Sequence, residues 1–150
     1  MSTALPATLA FDDVEVGQSL PDLSVEIDTA LIVATAVATR DFQDVHHDKD
    51  RARALGSPDV FMNILTTNGF VGRFVTDWAG PNAVVRSIAI RLGVPNYPGD
   101  TMRMTGSVTA KEVVEGEGIV EVEVRGANRL GDHVTGTVRL VLPRTGKATS

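Results

Sequence analysis

The stretch Ser57-Pro58-Asp59-Val60-Phe61-Met62-Asn63-Ile64-Leu65-Thr66-Thr67-Asn68-Gly69-Phe70-Val71-Gly72-Arg73-Phe74-Val75-Thr76-Asp77-Trp78-Ala79-Gly80-Pro81 decides the fold. Val60, Ile64, Leu65, Phe70, Val71, Phe74, Val75 and Trp78 recur at spacings of roughly three and four. That is the period of an α-helix, and apolar residues on more than one side predict a buried one. Ser57-Pro58-Asp59 reads as its start and Gly80-Pro81 as its stop.

The texture differs on either side of this helix. Before it, Leu23–Ile27 reads as a strand, and Thr29–Thr39 as a short Ala/Val-rich helix with Asp28 as N-cap. After it the apolar spacing falls to two, the period of a strand. Val84, Ile88, Ile90, Leu92 and Val94 sit at even spacing. Met102, Met104, Gly106 and Val108 follow the turn Pro95–Asp100. Val120, Val122 and Val124 follow a hairpin turn at Glu115-Gly116-Glu117-Gly118, and Val134, Val138, Leu140 and Leu142 follow Leu130-Gly131-Asp132. Four strands in meander-like succession after a helical section imply α+β, an antiparallel sheet with helices on one face. A curved, five-stranded sheet wrapped around one long central helix is the hot-dog architecture, whose smallest unit is expected to be a dimer.

The 150 residues make one domain, 1–150, with an ordered core of about 11–143 and fraying ends at 1–10 and 144–150. Hydrophobic residues at 43% and charged residues at 22% describe a globular chain rather than a disordered one. Cysteine is absent, which excludes disulfides, thiol nucleophiles, iron–sulfur clusters and Cys-based zinc sites. A net charge of −5 makes bulk nucleic-acid binding a poor expectation. The sequence has no apolar run long enough for a membrane span and no secretory signal pattern at its start, so the expected location is cytoplasmic.

The densest chemistry lies in Arg40-Asp41-Phe42-Gln43-Asp44-Val45-His46-His47-Asp48, placed on a loop between the two helices. A carboxylate and an imidazole brought together can hold one water, one group taking its proton while the other orients it. The same residue types also make turns and cap helices. His46, His47 and a nearby Asp are metal donors, but adjacent His side chains diverge and no distant donor is paired with them, so no metal is expected. His133 reads as a half-exposed strand residue. The helix start at Ser57–Asn63 offers free N–H groups to a developing negative charge. Met62, Met102 and Met104 read as core filler. Gly69 and Gly72 would allow close backbone approach. Arg73, Arg86, Arg91 and Arg103 read as solvated, each with the reach to contact a phosphate.

These residues resemble the MaoC-like, R-specific enoyl-CoA hydratases, from about Phe11 to Leu142. The motif G-D-x-N-P-x-H reads here Arg40-Asp41-Phe42-Gln43-Asp44-Val45-His46, with the five-residue Asp–His separation kept and Ala52-Arg53 following. Trp78–Val85, Val94–Thr101 and the final hairpin, Asn128–Gly131 with Val134-Thr135-Gly136, continue the pattern in order. The resemblance implies a hot-dog dimer that adds water across a trans-2-enoyl thioester. By position it makes Asp41 and His46 the catalytic pair, with Asp41 as base, and the backbone amide of Asn63 the donor to the thioester oxygen. No separate cofactor is implied, since coenzyme A arrives as part of the substrate. Departures are Arg40 for Gly, Gln43 for Asn, Asp44 for Pro, Asn63 for Gly and Met62 for the usual His, and they leave Asp44 with His47 as a second register.

Ala38–Asp48, Val75–Pro81 and Leu130–Thr135 are similar to a narrower branch, the small subunits of heteromeric hydratases in actinobacterial steroid side-chain (cholesterol) degradation. That similarity implies a second MaoC-like subunit as partner, in a heterodimer or α2β2 heterotetramer, in place of a homodimer. It also implies a steroid side-chain enoyl-CoA as substrate. The competing expectations are an acyl-CoA thioesterase and a non-catalytic subunit that completes a partner's acyl-CoA site.

Overall fold

The computed structural model describes residues 7–145, so the expected fraying of 1–6 and 146–150 lies outside the described residues. In chain order the elements are β1 (Leu23–Glu26), α1 (Thr29–Ala38), α2 (Lys49–Ala54), α3 (Ile64–Ala79), β2 (Val84–Leu92), β3 (Thr101–Val114), β4 (Glu117–Asn128) and β5 (Gly131–Leu142), with 3₁₀ turns at Phe11–Asp13 and Asp44–His46. All strand pairs are antiparallel, in the order β1-β3-β4-β5-β2. This is the expected α+β hot-dog fold.

Alternation on the long strands builds the core. Met102, Met104, Val108, Val120, Val122, Val124, Val134, Val138, Leu140 and Leu142 are all buried. Against this face packs the stripe Val71, Phe74, Val75 and Ala79 of α3, also buried. Burying an aliphatic or aromatic side chain contributes about 1.5–3 kcal/mol, so this helix–sheet seam is the main source of stability. Met62, Met102 and Met104 are core residues, as expected, and Asn96 Nδ2 reaches Met102 Sδ at 3.3 Å.

Several expectations need correction. First, α3 begins at Ile64 rather than at Ser57. Residues 57–63 run as irregular chain, with Phe61 N–H donating to Val45 O at 3.2 Å and Met62 N–H to Asn96 O at 3.1 Å. The Asn63 side chain then accepts from Thr66 N–H at 3.0 Å, a cap that fixes the helix start there. Second, the burial of α3 is one-sided: Ile64 and Leu65 are 51% and 49% exposed. Third, the last four strands are not a simple meander. Residues 93–100 contain Pro95 and Pro98, cannot form a tight hairpin, and let β2 pair with β5 at the far edge. Fourth, residues 7–10 are held: Leu9 N–H donates to Ala79 O at 2.9 Å, and Thr8 Oγ1 accepts from Asn82 N–H at 3.0 Å. Thr145 is likewise tied to Asp12, at 2.9 Å from its N–H.

The turn between β3 and β4 is two residues, Glu115-Gly116, with φ of 50° and 84°. Both angles are left-handed, as a tight hairpin of right-twisted strands requires, so Glu117 and Gly118 belong to β4. α1 begins at Thr29 as expected, with Asp28 accepting from Leu31 N–H at 2.7 Å, and ends at Ala38, with Thr39 as its C-cap.

Candidate active site

The loop after α1 turns sharply because Arg40 adopts φ 57°, the left-handed region that favours glycine. The motif's Gly position therefore keeps its backbone shape with an Arg in it. Asp41 N–H bonds back to Ala36 O at 2.9 Å, which aims the Asp41 side chain along the start of α3. The 3₁₀ turn Asp44–His46 then swings His46 inward, to 6% exposure.

His46 Nε2 lies 3.4 Å from Asp41 Oδ2. His46 Nδ1 is 2.7 Å from Phe61 O, an atom that only accepts, so Nδ1 carries the proton. In the neutral imidazole, Nε2 then presents a lone pair to a carboxylate oxygen. Two acceptors this close are best satisfied by one water that donates a hydrogen to each. The Phe61 ring packs edge-on against His46, 5.0 Å between centroids, and fixes the imidazole plane. The other register does not form a comparable pair: Asp44 and His47 stand 4.0 Å apart, half exposed, and Asp44 is taken by Arg51 Nε at 3.1 Å. Asp48 caps α2, accepting from Arg51 N–H at 3.0 Å. Asp44 and Asp48 thus play the turn and capping roles available to such residues. Among the described residues no group of three metal-binding side chains converges.

A cavity of about 290 Å³ opens over the pair, lined by Asp41, His46, Met62, Asn63 and Ile64 on one side and Leu92–Pro95 and His133 on the other. Gly93 is needed in that wall: a Cβ there would stand 2.1 Å from Asp132 O. Asn63 sits at the N-terminus of the 16-residue α3, and among the described residues its own N–H has no acceptor. A free N–H at the positive end of a helix, in the cavity wall, suits an oxygen that gains negative charge.

His133 corrects its sequence reading. It is buried rather than half exposed and lines the cavity. Its Nδ1 donates to Val94 O at 2.7 Å, so Nε2 accepts the Thr67 hydroxyl at 2.8 Å. Burial holds its pKa below the ordinary imidazole value, against the opposing pull of the Val94 carbonyl and the Asp100 charge. No sequence spacing linked His133 to Thr67, because the two meet only through the sheet and the central helix. Of the arginines considered, Arg73 pairs with Asp77 at 3.2 Å, Arg86 with Glu117 at 2.5 Å and Arg103 with Asp22, all on exposed faces. Gly72 gives only ordinary contact with Ile88, and Gly69 faces open space, so neither mediates a close approach within the chain.

Fold and cavity together define a hot-dog protein with a carboxylate–imidazole pair in a cavity at the start of its central helix. The chain belongs to the MaoC-like family, whose MaoC like domain matches residues 13–128. Within that family it is 57% identical over 125 residues to the 3-oxo-4,17-pregnadiene-20-carboxyl-CoA hydratase beta subunit of Mycobacterium tuberculosis, covering 83% of this chain and 94% of that one. The crystal structure of the ChsH1-ChsH2 complex from M. tuberculosis contains a chain that superposes with TM-score 0.80 at 56% identity, over 85% of this chain and 98% of that one. R-hydratase PhaJ1 from Pseudomonas aeruginosa shares the fold, with TM-score 0.81 at 18% identity, over 95% and 93% of the two chains. No helix among the described residues is long and apolar enough to cross a membrane.

Proposed function

We propose that this chain is the hydratase subunit of a heteromeric enoyl-CoA hydratase acting on a steroid side-chain trans-2-enoyl-CoA. One observation carries the chemistry: Asp41 Oδ2 and His46 Nε2 face each other at 3.4 Å with the His46 tautomer fixed by Phe61 O. The substrate class is supported by the 57% identity to a subunit named for a 3-oxo-4,17-pregnadiene-20-carboxyl-CoA hydratase.

The water held between the two side chains gives one proton to Asp41, and its oxygen forms a bond to the β-carbon. The π pair of the double bond moves onto the α-carbon and the thioester carbonyl. The carbonyl oxygen, now negative, accepts the Asn63 N–H. The proton taken up by Asp41 then passes to the α-carbon as the electron pair returns there, which restores the Asp41 carboxylate, and the elements of one water are added. A positioned acid or base contributes about 10²- to 10⁴-fold, and donors to a developing oxyanion a comparable factor. No residue of this route needs a metal or a separate cofactor; coenzyme A is the handle of the substrate.

A partner is supported by the surface beside the site. Phe42, Ile64 and Leu65 expose 66%, 51% and 49% of their area, and the outer edge of β2 is unpaired among the described residues. A second MaoC-like chain would cover these groups and leave room for a bulky acyl group. The test is hydration of enoyl-CoA esters, read by loss of the enoyl-thioester absorbance and by product mass. The chain is assayed alone and with a second MaoC-like subunit, on a short linear ester and a steroid ester. Gain of one water mass on the steroid ester, in the presence of the partner, is the expected result. Release of free CoA would replace this reading with a thioesterase.

A further inference from the structure

Asn63 does more than lend its backbone amide. Its side chain is buried, at 2% exposure, and three of its four hydrogen-bonding positions are used. Oδ1 accepts from Thr66 N–H at 3.0 Å. Nδ2 donates to Thr39 Oγ1 at 2.9 Å and to Asp41 Oδ2 at 3.0 Å. The amide orientation is fixed by its partners, because a backbone N–H demands the oxygen and a carboxylate demands the nitrogen. Thr39 is itself oriented: its hydroxyl donates to Thr35 O at 2.8 Å, which leaves a lone pair for Asn63. The last turn of α1, the first turn of α3 and the carboxylate are thus joined by one continuous set of hydrogen bonds.

We infer that the Asn63 carboxamide is a positioning residue for the reaction, holding Asp41 Oδ2 opposite His46 Nε2. The only other hydrogen bond to the Asp41 carboxylate among the described residues comes from Gln43 N–H at 3.5 Å, on Oδ1, the outer limit of such a contact. Without Nδ2 the side chain is free to rotate away from the water position. Asn63 has ordinary extended backbone angles, φ −79° and ψ 160°, so the position tolerates a side chain without strain. This inference rests on the role proposed above for Asp41.

The test uses the complex with its partner subunit and the steroid ester. Asn63→Ser keeps a capping oxygen for Thr66 N–H, since Ser and Asn cap equally well, but has no group that donates to Asp41. The expected result is a fall in kcat of roughly 10- to 100-fold with KM and melting temperature nearly unchanged, the scale of a misplaced catalytic group. Thr39→Val, which frees Nδ2 but leaves the cap intact, should lower kcat in the same direction by a smaller factor. In an Asp41→Asn background, Asn63→Ser should cost nothing further, because two changes in one linkage are non-additive. Unchanged kcat in both Asn63→Ser and Thr39→Val, with Asp41→Asn inactive, would overturn the positioning role and leave the hydratase reading standing. The same factor lost from Asn63→Ser with and without Asp41 would also overturn it. Full activity of Asp41→Asn would instead remove the base, and this inference with it.

Discussion

Arg40 shows how a departure from a motif is read at the scale of one residue. At φ 57° an L residue costs about 1–2 kcal/mol relative to right-handed backbone, and glycine nothing. Arg40→Gly should therefore stabilise the chain, offset in part by the extra freedom glycine adds to the unfolded state, about 0.4–1 kcal/mol. A net gain of about 0.5–1 kcal/mol in urea unfolding is expected; a loss would mean that the Arg40 side chain makes a stabilising contact. The Asp41–His46 separation was legible in the sequence because it lies within one short loop. The tautomer of His46 was not, since Phe61 O comes from a segment fifteen residues away. The Asn63 carboxamide was equally hidden: its sequence position suggested a backbone role, and its partners Thr39 and Asp41 reach it only through folding.

At the scale of elements, local signals placed the start of α1, the existence of the five strands and the end of α3, but took the first residues of β4 and β5 for turn and misplaced the start of α3. Val60 continues the helical period yet belongs to the irregular segment before the helix; its burial satisfies the same apolar pattern. The six-residue α2 was not anticipated: it has too few apolar positions to show a period. The exchange of β2 to the far edge depends on the crossing made by residues 93–100, which no strand pattern encodes. His133 joins these parts, binding α3 through Thr67 and the β2 exit through Val94. Its pKa is lowered in the folded chain, so below about pH 6.5 the unfolded chain takes up the proton first. Stability from neutral His133 is complete above that pH and declines as pH falls toward the folded value. Chemical unfolding at pH 7.5 and at about pH 5.5 should show this loss, and His133→Gln should reduce the pH dependence. An identical pH dependence in wild type and variant would assign it to other groups.

For the whole molecule, a single hot-dog domain leaves two features open: an edge strand of nine residues and apolar side chains beside the cavity. Edge strands of that length are rarely left bare. A MaoC-like partner accounts for both, and light scattering of the mixed chains should give a heteromeric mass that neither chain gives alone. The cavity of about 290 Å³ lies at the low end of ligand pockets, so the proposed steroid ester would need space that the proposed second subunit supplies. Composition set the class of molecule at this scale and nothing finer; the proposed substrate class rests on kinship, not on charge or hydropathy.

Asp41 and His46 are proposed to activate water for addition to an enoyl thioester. This role is tested most directly by comparing wild type with Asp41→Asn and His46→Gln, each in complex with the partner, on a steroid enoyl-CoA. Product mass and initial rate are the readouts. The expected result is gain of one water mass in wild type and a rate loss of at least about a hundredfold in either variant, with the complex still assembled. Wild-type rates in both variants would contradict the account and leave this chain a scaffold for its partner's site.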